Sequence, residues 1–334
     1  MSVGAPGTAA PEPLLAAAGL EKSYAVRRGL FGSWTASLPA LRGVDFEIAA
    51  GRTLGLVGES GSGKTTVGRI VSRLTEPDAG SIRFQGEDWL ALGGRDLRRR
   101  RRDLQVVFQD PQTSLNPRMR AADQIAEPLR VQGLARGRQL RERVLELLRD
   151  VGLPHEAGDR LPRELSGGQR QRVAIARALA TGPRLVVCDE PVSALDVSVA
   201  AQIVNLLLDL RERAGLSYLF ISHDLAVVSR IADRIAVLYL GRIVEEGPTD
   251  EVSARPLHPY THALVAAAPD PDLSAPRTAL VLPGEPPSAA DPPPGCPFHP
   301  RCPIARPRCA QERPELAEVS RGRRVACFYP GEMP

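Results

Sequence analysis

The stretch that most constrains the fold is the apolar run Leu54–Val57, followed at once by Gly58–Thr65 with the pattern G-x-x-x-x-G-K-T. The run predicts a buried strand, and the apolar spacing from Val67 to Leu74 predicts an amphipathic helix. Glycines at positions 58, 61 and 63 let the backbone turn several N–H groups toward an anion. The segment is therefore predicted to be a phosphate-binding loop between a strand and a helix.

The residues of this loop have distinct expected roles. We expect Lys64 to neutralise the β- and γ-phosphates of a nucleotide, and the Thr65 hydroxyl to ligate Mg²⁺. The residues predicted to contact the nucleotide are Gly58, Ser60, Gly61, Gly63, Lys64, Thr65 and Thr66. A glycine-rich turn that matches by chance is the alternative, and the motif alone leaves kinases, GTPases, helicases and transporter ATPases open.

Composition limits the class of protein. The chain has 334 residues, of which 43% are hydrophobic and 25% charged, so it can bury a sizeable core. Its net charge of +4 is compatible with anionic ligands or an anionic membrane surface but requires neither. No uncharged apolar run approaches the roughly 20 residues of a membrane helix, and the N-terminus lacks the layout of a signal peptide. We therefore expect a cytosolic protein.

Polar residues follow three further predicted strands. They are Gln109 after Leu104–Phe108, Asp189 and Glu190 after Leu185–Cys188, and His223 after Tyr218–Ile221. Because the carboxyl ends of parallel strands share one edge of a sheet, these side chains are expected near the phosphate loop. We expect Asp189 to hold Mg²⁺ through water and Glu190 to act as general base. Gln109 could reach a metal or a water, and His223 could sense a γ-phosphate.

The segment Leu165–Gln169 reads L-S-G-G-Q and opens a predicted helix. Ser166 is placed to cap that helix, and the two glycines leave backbone N–H groups uncovered, which suits a second anion site. A simple helix cap is the alternative. The preceding residues, from about 110, are predicted to form a helical insertion interrupted by prolines.

Two other features admit a functional and a structural reading. Arg95–Arg102 contains six arginines but no interleaved aromatic residues, so a solvated helix face is favoured over a nucleic-acid surface. Tyr24 lies upstream of the phosphate loop, where an exposed aromatic ring could stack on a nucleotide base, although ordinary packing is the commoner role.

The order of these motifs resembles the nucleotide-binding subunits of ABC transporters. The matching elements are the phosphate loop, Gln109, Leu165–Gln169, Asp189–Glu190, Ser193–Asp196 and His223. The resemblance implies an α/β fold: an ABC-type P-loop ATPase core with an N-terminal antiparallel β region, a helical subdomain and a small C-terminal cysteine-bearing appendage.

The same resemblance implies a head-to-tail dimer and assigns further roles. Ser166, Gly168 and Gln169 of one subunit are expected to close over ATP held by the other, with Asp196 also in the nucleotide-binding set. Tyr24 is expected to stack on adenine and His223 to hold the γ-phosphate. Gln109 is expected to coordinate Mg²⁺ and to touch the coupling helix of a membrane subunit.

A narrower resemblance covers nearly the whole chain. Asp110–Pro117, Glu190–Ser198 and Leu257–Thr261 are similar to the ATPases of oligopeptide and dipeptide importers, in particular to the shorter of their two paired ATPases. This implies a heterodimer with a second ATPase subunit, two permease subunits, an extracytoplasmic solute-binding protein and no nucleic acid. It also implies a place at the cytoplasmic face of the cell membrane. Related systems carry nickel, so that solute is an alternative.

Four of the five cysteines lie in the last forty residues: Cys296, Cys302, Cys309 and Cys327. Cys188, within an apolar strand, is expected to pack in the core. Four soft ligands in a chain without a secretion signal favour a metal centre over disulfides, and both zinc and an iron–sulfur cluster accept four thiolates. The resemblance to the peptide importers favours [4Fe-4S]; four reduced cysteines in a mobile tail are the alternative.

The predicted organisation has three parts: a mobile tail at 1–13, a nucleotide-binding domain at 14–250 with a helical subdomain at about 110–180, and a C-terminal region at 251–334 with a proline-rich connector. Two other functions stay open at this stage. One is a soluble ABC protein of translation or DNA repair, and the other is an ATP-dependent redox or metal-sensing regulator.

Overall fold

The computed structural model describes residues 12–28, 34–267 and 284–333. The predicted mobile tail lies outside these residues except for Glu12 and Pro13. The strands are β1 (Leu15–Arg28), β2 (Trp34–Ile48), β3 (Thr53–Val57), β4 (Ala79–Phe84), β5 (Glu87–Asp88), β6 (Leu104–Val107), β7 (Leu185–Asp189), β8 (Ser217–Ser222), β9 (Arg234–Tyr239), β10 (Arg242–Pro248), β11 (Ala317–Ser320) and β12 (Arg323–Val325).

Helices connect these strands. They are α1 (Lys64–Val71), α2 (Gly94–Arg100), α3 (Pro111–Ser114), α4 (Ala121–Val131), α5 (Gly137–Asp150), α6 (Gly167–Leu179), α7 (Val197–Ala214), α8 (Leu225–Ile231), α9 (Thr249–Ala254), α10 (Pro259–Ala267) and α11 (Pro307–Gln311). Within the described ranges, no helix combines the length and the apolar character needed to cross a bilayer.

The larger sheet has eight strands in the order β11-β12-β10-β9-β3-β8-β7-β6. Five strands, in the order β9, β3, β8, β7 and β6, run parallel to one another, whereas β10, β12 and β11 continue the sheet antiparallel. Because β3, β6, β7 and β8 run in the same direction, their carboxyl ends meet at one edge. The predicted site residues follow those ends.

The smaller sheet is antiparallel, with the order β2-β1-β4-β5. Its apolar face packs on α1 and on one face of the larger sheet, where Leu185 and Val187 point. The other face of the larger sheet, with Val186 and Cys188, packs against α4 to α8. This alternation follows from the two-residue period of a strand, and it places Cys188 in the core, as predicted.

The helical segment between β6 and β7 is built from amphipathic helices. In α5 the buried residues are Leu140, Val144, Leu147 and Leu148, which recur at helical spacing.

The arginine-rich helix α2, which precedes β6, has no buried residue, and this agrees with a solvated face. Both helices therefore match the pattern read from the sequence.

The C-terminal region is continuous with the larger sheet. Strand β12 pairs with β10, with Glu245 opposite Val325. The carboxylate of Glu245 is fully buried, accepts an N–H from His258 and pairs with Arg323 at 2.8 Å. The sequence pattern predicted an appendage but not these two additional strands.

Candidate functional site

A cavity of about 730 Å³ lies at the carboxyl edge of the parallel strands. Its lining combines residues of the phosphate loop with the ends of β6, β7 and β8. They include Tyr24, Glu59, Ser60, Gly61, Gly63, Lys64, Thr65, Thr66, Gln109, Glu190 and His223. The structure thus brings most of the predicted nucleotide and catalytic residues together.

Glycine is required at two positions of the phosphate loop. A Cβ at Gly58 would lie 2.2 Å from the carbonyl oxygen of Leu238 in β9, so only glycine allows the loop to leave the strand there. Gly63 has a φ of 110°, and a Cβ there would lie 2.6 Å from the Ala40 carbonyl oxygen. The loop is held close to both sheets, and α1 starts directly after it with its N-terminus toward the cavity.

Lys64 is buried, and its ammonium group donates to the carbonyl oxygens of Gly58 and Glu59 at 2.7 and 2.9 Å. Burial lowers the pKa of Lys64, and the nearby carboxylates of Glu190, Asp189 and Glu59 oppose that shift. The ammonium group therefore lies among carbonyl and carboxylate oxygens.

Thr65 and Asp189 face each other across the start of α1 and the end of β7. The Thr65 hydroxyl donates to Oδ1 of Asp189 at 3.3 Å. Burial raises the pKa of Asp189, and the Thr65 hydrogen bond acts in the opposite direction. A hydroxyl and a carboxylate are hard oxygen donors of the type that Mg²⁺ prefers, so this pair fits a magnesium site.

Glu190 contacts two residues that follow neighbouring parts of the sheet, Gln109 after β6 and His223 after β8. Its Oε2 accepts from the amide of Gln109 at 3.0 Å and lies 3.3 Å from Nδ1 of His223. Its backbone φ is 46°, an uncommon value for a residue with a side chain. The backbone N–H of Glu190 donates to Ile221 at 2.9 Å, which fixes the turn out of β7. The carboxylate is thereby held in the cavity.

Comparisons with known proteins agree with this geometry. Residues 41–193 match the ABC transporter family, and residues 244–309 match the family described as "Oligopeptide/dipeptide transporter, C-terminal region". A putative peptide import ATP-binding protein of Brucella ovis is 51% identical over 316 residues, which are 95% of this chain and 98% of that protein. The chain belongs to the ATP-binding subunits of ABC transporters.

Other relatives and solved structures extend this ABC assignment. The dipeptide transport ATP-binding protein DppF of Haemophilus influenzae is 46% identical, over 95% of this chain and 97% of its own. A dimeric structure of the ATP-binding cassette MJ0796 bound to ADP and Pi covers 70% of this ABC ATPase and 98% of its own chain, with 32% identity and a TM-score of 0.62. These similarities confirm the ABC-type α/β fold and its ATPase character.

The L-S-G-G-Q segment of the ABC ATPase lies apart from this cavity. Ser166 and Gln169 form a reciprocal capping box at the start of α6, which confirms the predicted helix cap. Asp196 caps α7, and the backbone N–H of Val199 lowers the pKa of its carboxyl group. Among the described residues that line the cavity, Ser166, Gly168, Gln169 and Asp196 do not appear.

The four C-terminal cysteines of this ABC ATPase line one small cavity together with Phe298 and His258. Burial raises the pKa of the Cys296 and Cys327 thiols to about 11, and also raises that of Cys302. Thiol groups are of the soft type that both zinc and iron–sulfur clusters bind. Over the described ranges, however, no group of three or more His, Cys, Asp or Glu that could hold a metal ion is found.

The sequence does not predict a role for some residues that lie near the site. Glu59, a variable position of the phosphate loop, forms a bidentate ion pair with Arg301, and its N–H donates to the Tyr260 hydroxyl. His258 is 1% exposed, and burial lowers its pKa to about 3. Its burial depends on packing between distant segments, for which the sequence carries no local signal.

Proposed function

We propose that this ABC ATPase hydrolyses ATP to drive the import of di- and oligopeptides through separate permease subunits. The main support is that Lys64, Thr65 and Glu190 share one cavity, close to Asp189, in a chain whose residues 244–309 match the peptide-transporter region. The substrate class comes from relatives named as peptide import and dipeptide transport proteins.

The hydrolytic role rests on the groups around Glu190. Its carboxylate polarises the attacking water as general base, and Gln109 and His223 orient it through their contacts with Oε2. Lys64 exchanges its carbonyl partners for the β- and γ-phosphates, and His223 contacts the γ-phosphate.

Thr65, Gln109 and Asp189 would hold Mg²⁺ next to the phosphates. When bound, the ion neutralises charge on the phosphate oxygens. The remaining contacts to the nucleotide come from Tyr24, stacked on adenine, and from the phosphate loop. The loop residues are Gly58, Ser60, Gly61, Gly63 and Thr66.

The complete site requires two subunits. Ser166, Gly168, Gln169 and Asp196 do not line the cavity of their own chain in the described residues, yet Ser166 and Asp196 are exposed. We assign these residues to the nucleotide site of a second ATPase in a heterodimer, in which this chain is the shorter subunit.

The remaining partners are two permeases and an extracytoplasmic solute-binding protein. The chain is placed at the cytoplasmic face of the membrane, attached through the permeases. Gln109 and the following helices α3 and α4 form the route of coupling, because Gln109 joins the helical segment to the carboxylate of Glu190.

The four cysteines are assigned to a [4Fe-4S] cluster with a structural role. The support is that the four cysteines line one cavity, together with the resemblance to the peptide importers. Anaerobic purification with iron and sulfide assays tests this. Stoichiometric zinc without iron would refute it.

The domain division proposed is a nucleotide-binding domain at 14–250, with its helical subdomain at about 110–180, and a C-terminal region at 251–334. The helices α3 to α6 fall within the helical subdomain, and the matched peptide-transporter region, at 244–309, overlaps the second boundary.

Transport by cells that lack the gene tests the function. The wild-type chain should restore uptake of labelled dipeptide, Lys64→Ala should not, and Arg138→Ala, which alters an exposed ion pair on α5, should restore it. Restored uptake of nickel but not of peptide would favour the nickel alternative. Unchanged peptide uptake by the Lys64→Ala variant would contradict the proposed ATPase role.

A further inference from the structure

Glu59 is held through three of its groups. Its backbone N–H donates to the Tyr260 hydroxyl at 2.7 Å, and its carbonyl oxygen accepts from Lys64 at 2.9 Å. Its carboxylate pairs with both terminal nitrogens of Arg301, at 2.8 and 3.0 Å. Two of the three partners, Tyr260 and Arg301, belong to the region matched at 244–309.

The pair between Glu59 and Arg301 is specific in its geometry. The side chain of Arg301 is 7% exposed and that of Glu59 is 28% exposed, so the guanidinium is buried while the carboxylate also reaches the nucleotide cavity. The planar guanidinium matches the two carboxylate oxygens, an arrangement that a lysine cannot reproduce. The position of Glu59 therefore depends on the position of Arg301.

The same two contacts lead back to the cysteine cavity. Arg301 directly precedes Cys302, which lines that cavity. Phe298 lines it too, and its ring centroid lies 5.5 Å from that of Tyr260. An ion pair and an aromatic contact thus run in parallel from the cysteine cavity to the second residue of the phosphate loop.

We propose that Glu59 and Arg301 are positioning residues for the nucleotide, through which the cysteine-bearing region (residues 296–327) sets the affinity of the phosphate loop for ATP. The loop contains Gly61 and Gly63, which give its backbone freedom that binding must remove. Holding Glu59 in place removes part of that freedom beforehand, and preorganisation of this kind raises affinity. The inference rests on the ATPase function proposed above.

The first test measures the dissociation constant of a fluorescent ATP analogue with Mg²⁺ on the full chain. Glu59→Gln and Arg301→Gln should each weaken binding about tenfold, which corresponds to ~1.4 kcal/mol. The double variant should bind no more weakly than either single variant, because both remove the same link. Arg301→Lys keeps the positive charge but lacks the two terminal nitrogens of the guanidinium, so it should weaken nucleotide binding less than Arg301→Gln does.

Two controls separate positioning from general damage. Arg308→Gln removes an exposed ion pair of the same region and should leave the dissociation constant within about twofold. Thermal melting reports folding, so variants that melt earlier but bind the analogue normally would overturn the proposal. Multiplicative effects in the double variant would also overturn it.

The second test asks whether the cysteine region acts through Arg301. Cys302→Ser should weaken nucleotide binding in the wild-type background and have no further effect in the Arg301→Gln background. An equal effect in both backgrounds, or no effect in either, would contradict the link. A wild-type chain that binds no ATP would instead refute the proposed function, so the two failures are distinguishable.

Discussion

The side-chain amide of Gln109 donates a 3.0 Å hydrogen bond to Oε2 of Glu190, a residue 81 positions later in the chain. The two residues meet because β6 and β7 are adjacent and parallel, so their carboxyl ends emerge side by side. Gln109 also leads into the helical segment that begins with α3. A displacement of that segment is therefore expected to alter the environment of the Glu190 carboxylate.

The first prediction concerns this carboxylate. Glu190→Gln keeps the shape of the side chain but removes the basic group, so the rate of ATP hydrolysis should fall by about 10²–10⁴ while ATP still binds. Steady-state turnover and nucleotide binding are the measurements, with the exposed Glu142→Gln as control. The variant should accumulate as an ATP-bound closed dimer, and rapid turnover would argue against the role of Glu190.

A second prediction uses the close approach of the phosphate loop to β9. Gly58→Ala introduces a Cβ 2.2 Å from the Leu238 carbonyl oxygen and should lower the free energy of unfolding by about 1–3 kcal/mol. Gly93→Ala is the matched control, because a Cβ there meets no atom within 4 Å and its φ is −138°. Denaturant unfolding should separate the two variants; equal stabilities would contradict the described loop path.

A third prediction tests how the C-terminal strands are attached. Arg323→Leu leaves the fully buried Glu245 carboxylate without its charged partner and should cost about 3–5 kcal/mol of unfolding free energy. Adding Glu245→Gln should recover much of this loss. Arg138→Leu, which breaks an exposed pair, should cost less than about 1 kcal/mol. A loss from Arg323→Leu as small as that of the control would show that the pair is not needed.

A fourth prediction follows from the burial of His258. Its pKa is lowered from 6.5 to about 3, so the unfolded chain binds the extra proton between these values. The free energy of unfolding that depends on His258 is therefore constant above about pH 6.5. It falls as the pH drops toward 3, with a slope approaching ~1.4 kcal/mol per pH unit. Unfolding of the wild type and of His258→Gln at about pH 7.5 and 5.5 measures the difference.

The control for this pH effect is the exposed His155→Gln. That variant should lose stability with acidification as much as the wild type does, whereas His258→Gln should lose about 1.4 kcal/mol less. Parallel pH dependence of the wild type and His258→Gln would show that the imidazole is not buried in its neutral form.

Much of the candidate site was predictable because its signals are local. The glycines at 58 and 63, the apolar run before Asp189 and the capping pair Ser166 and Gln169 each act over a few residues, and the structure places them as expected. The continuous apolar runs of these strands also indicate a parallel sheet that is covered on both faces. The convergence of Gln109, Glu190 and His223 was therefore inferred from the rule that parallel strands end at one edge.

The sequence by itself determined the phosphate loop, the polar residues that follow the strands and the membership of the ABC family, because each of these depends on a short pattern. Only the tertiary structure decided that Arg301 pairs with Glu59, 242 positions away, and that β12 extends the sheet beside β10. Such contacts have no local signature: an arginine near a cysteine looks the same whether it faces solvent or a carboxylate. Packing between distant segments, which buries the guanidinium of Arg301, selects the pair.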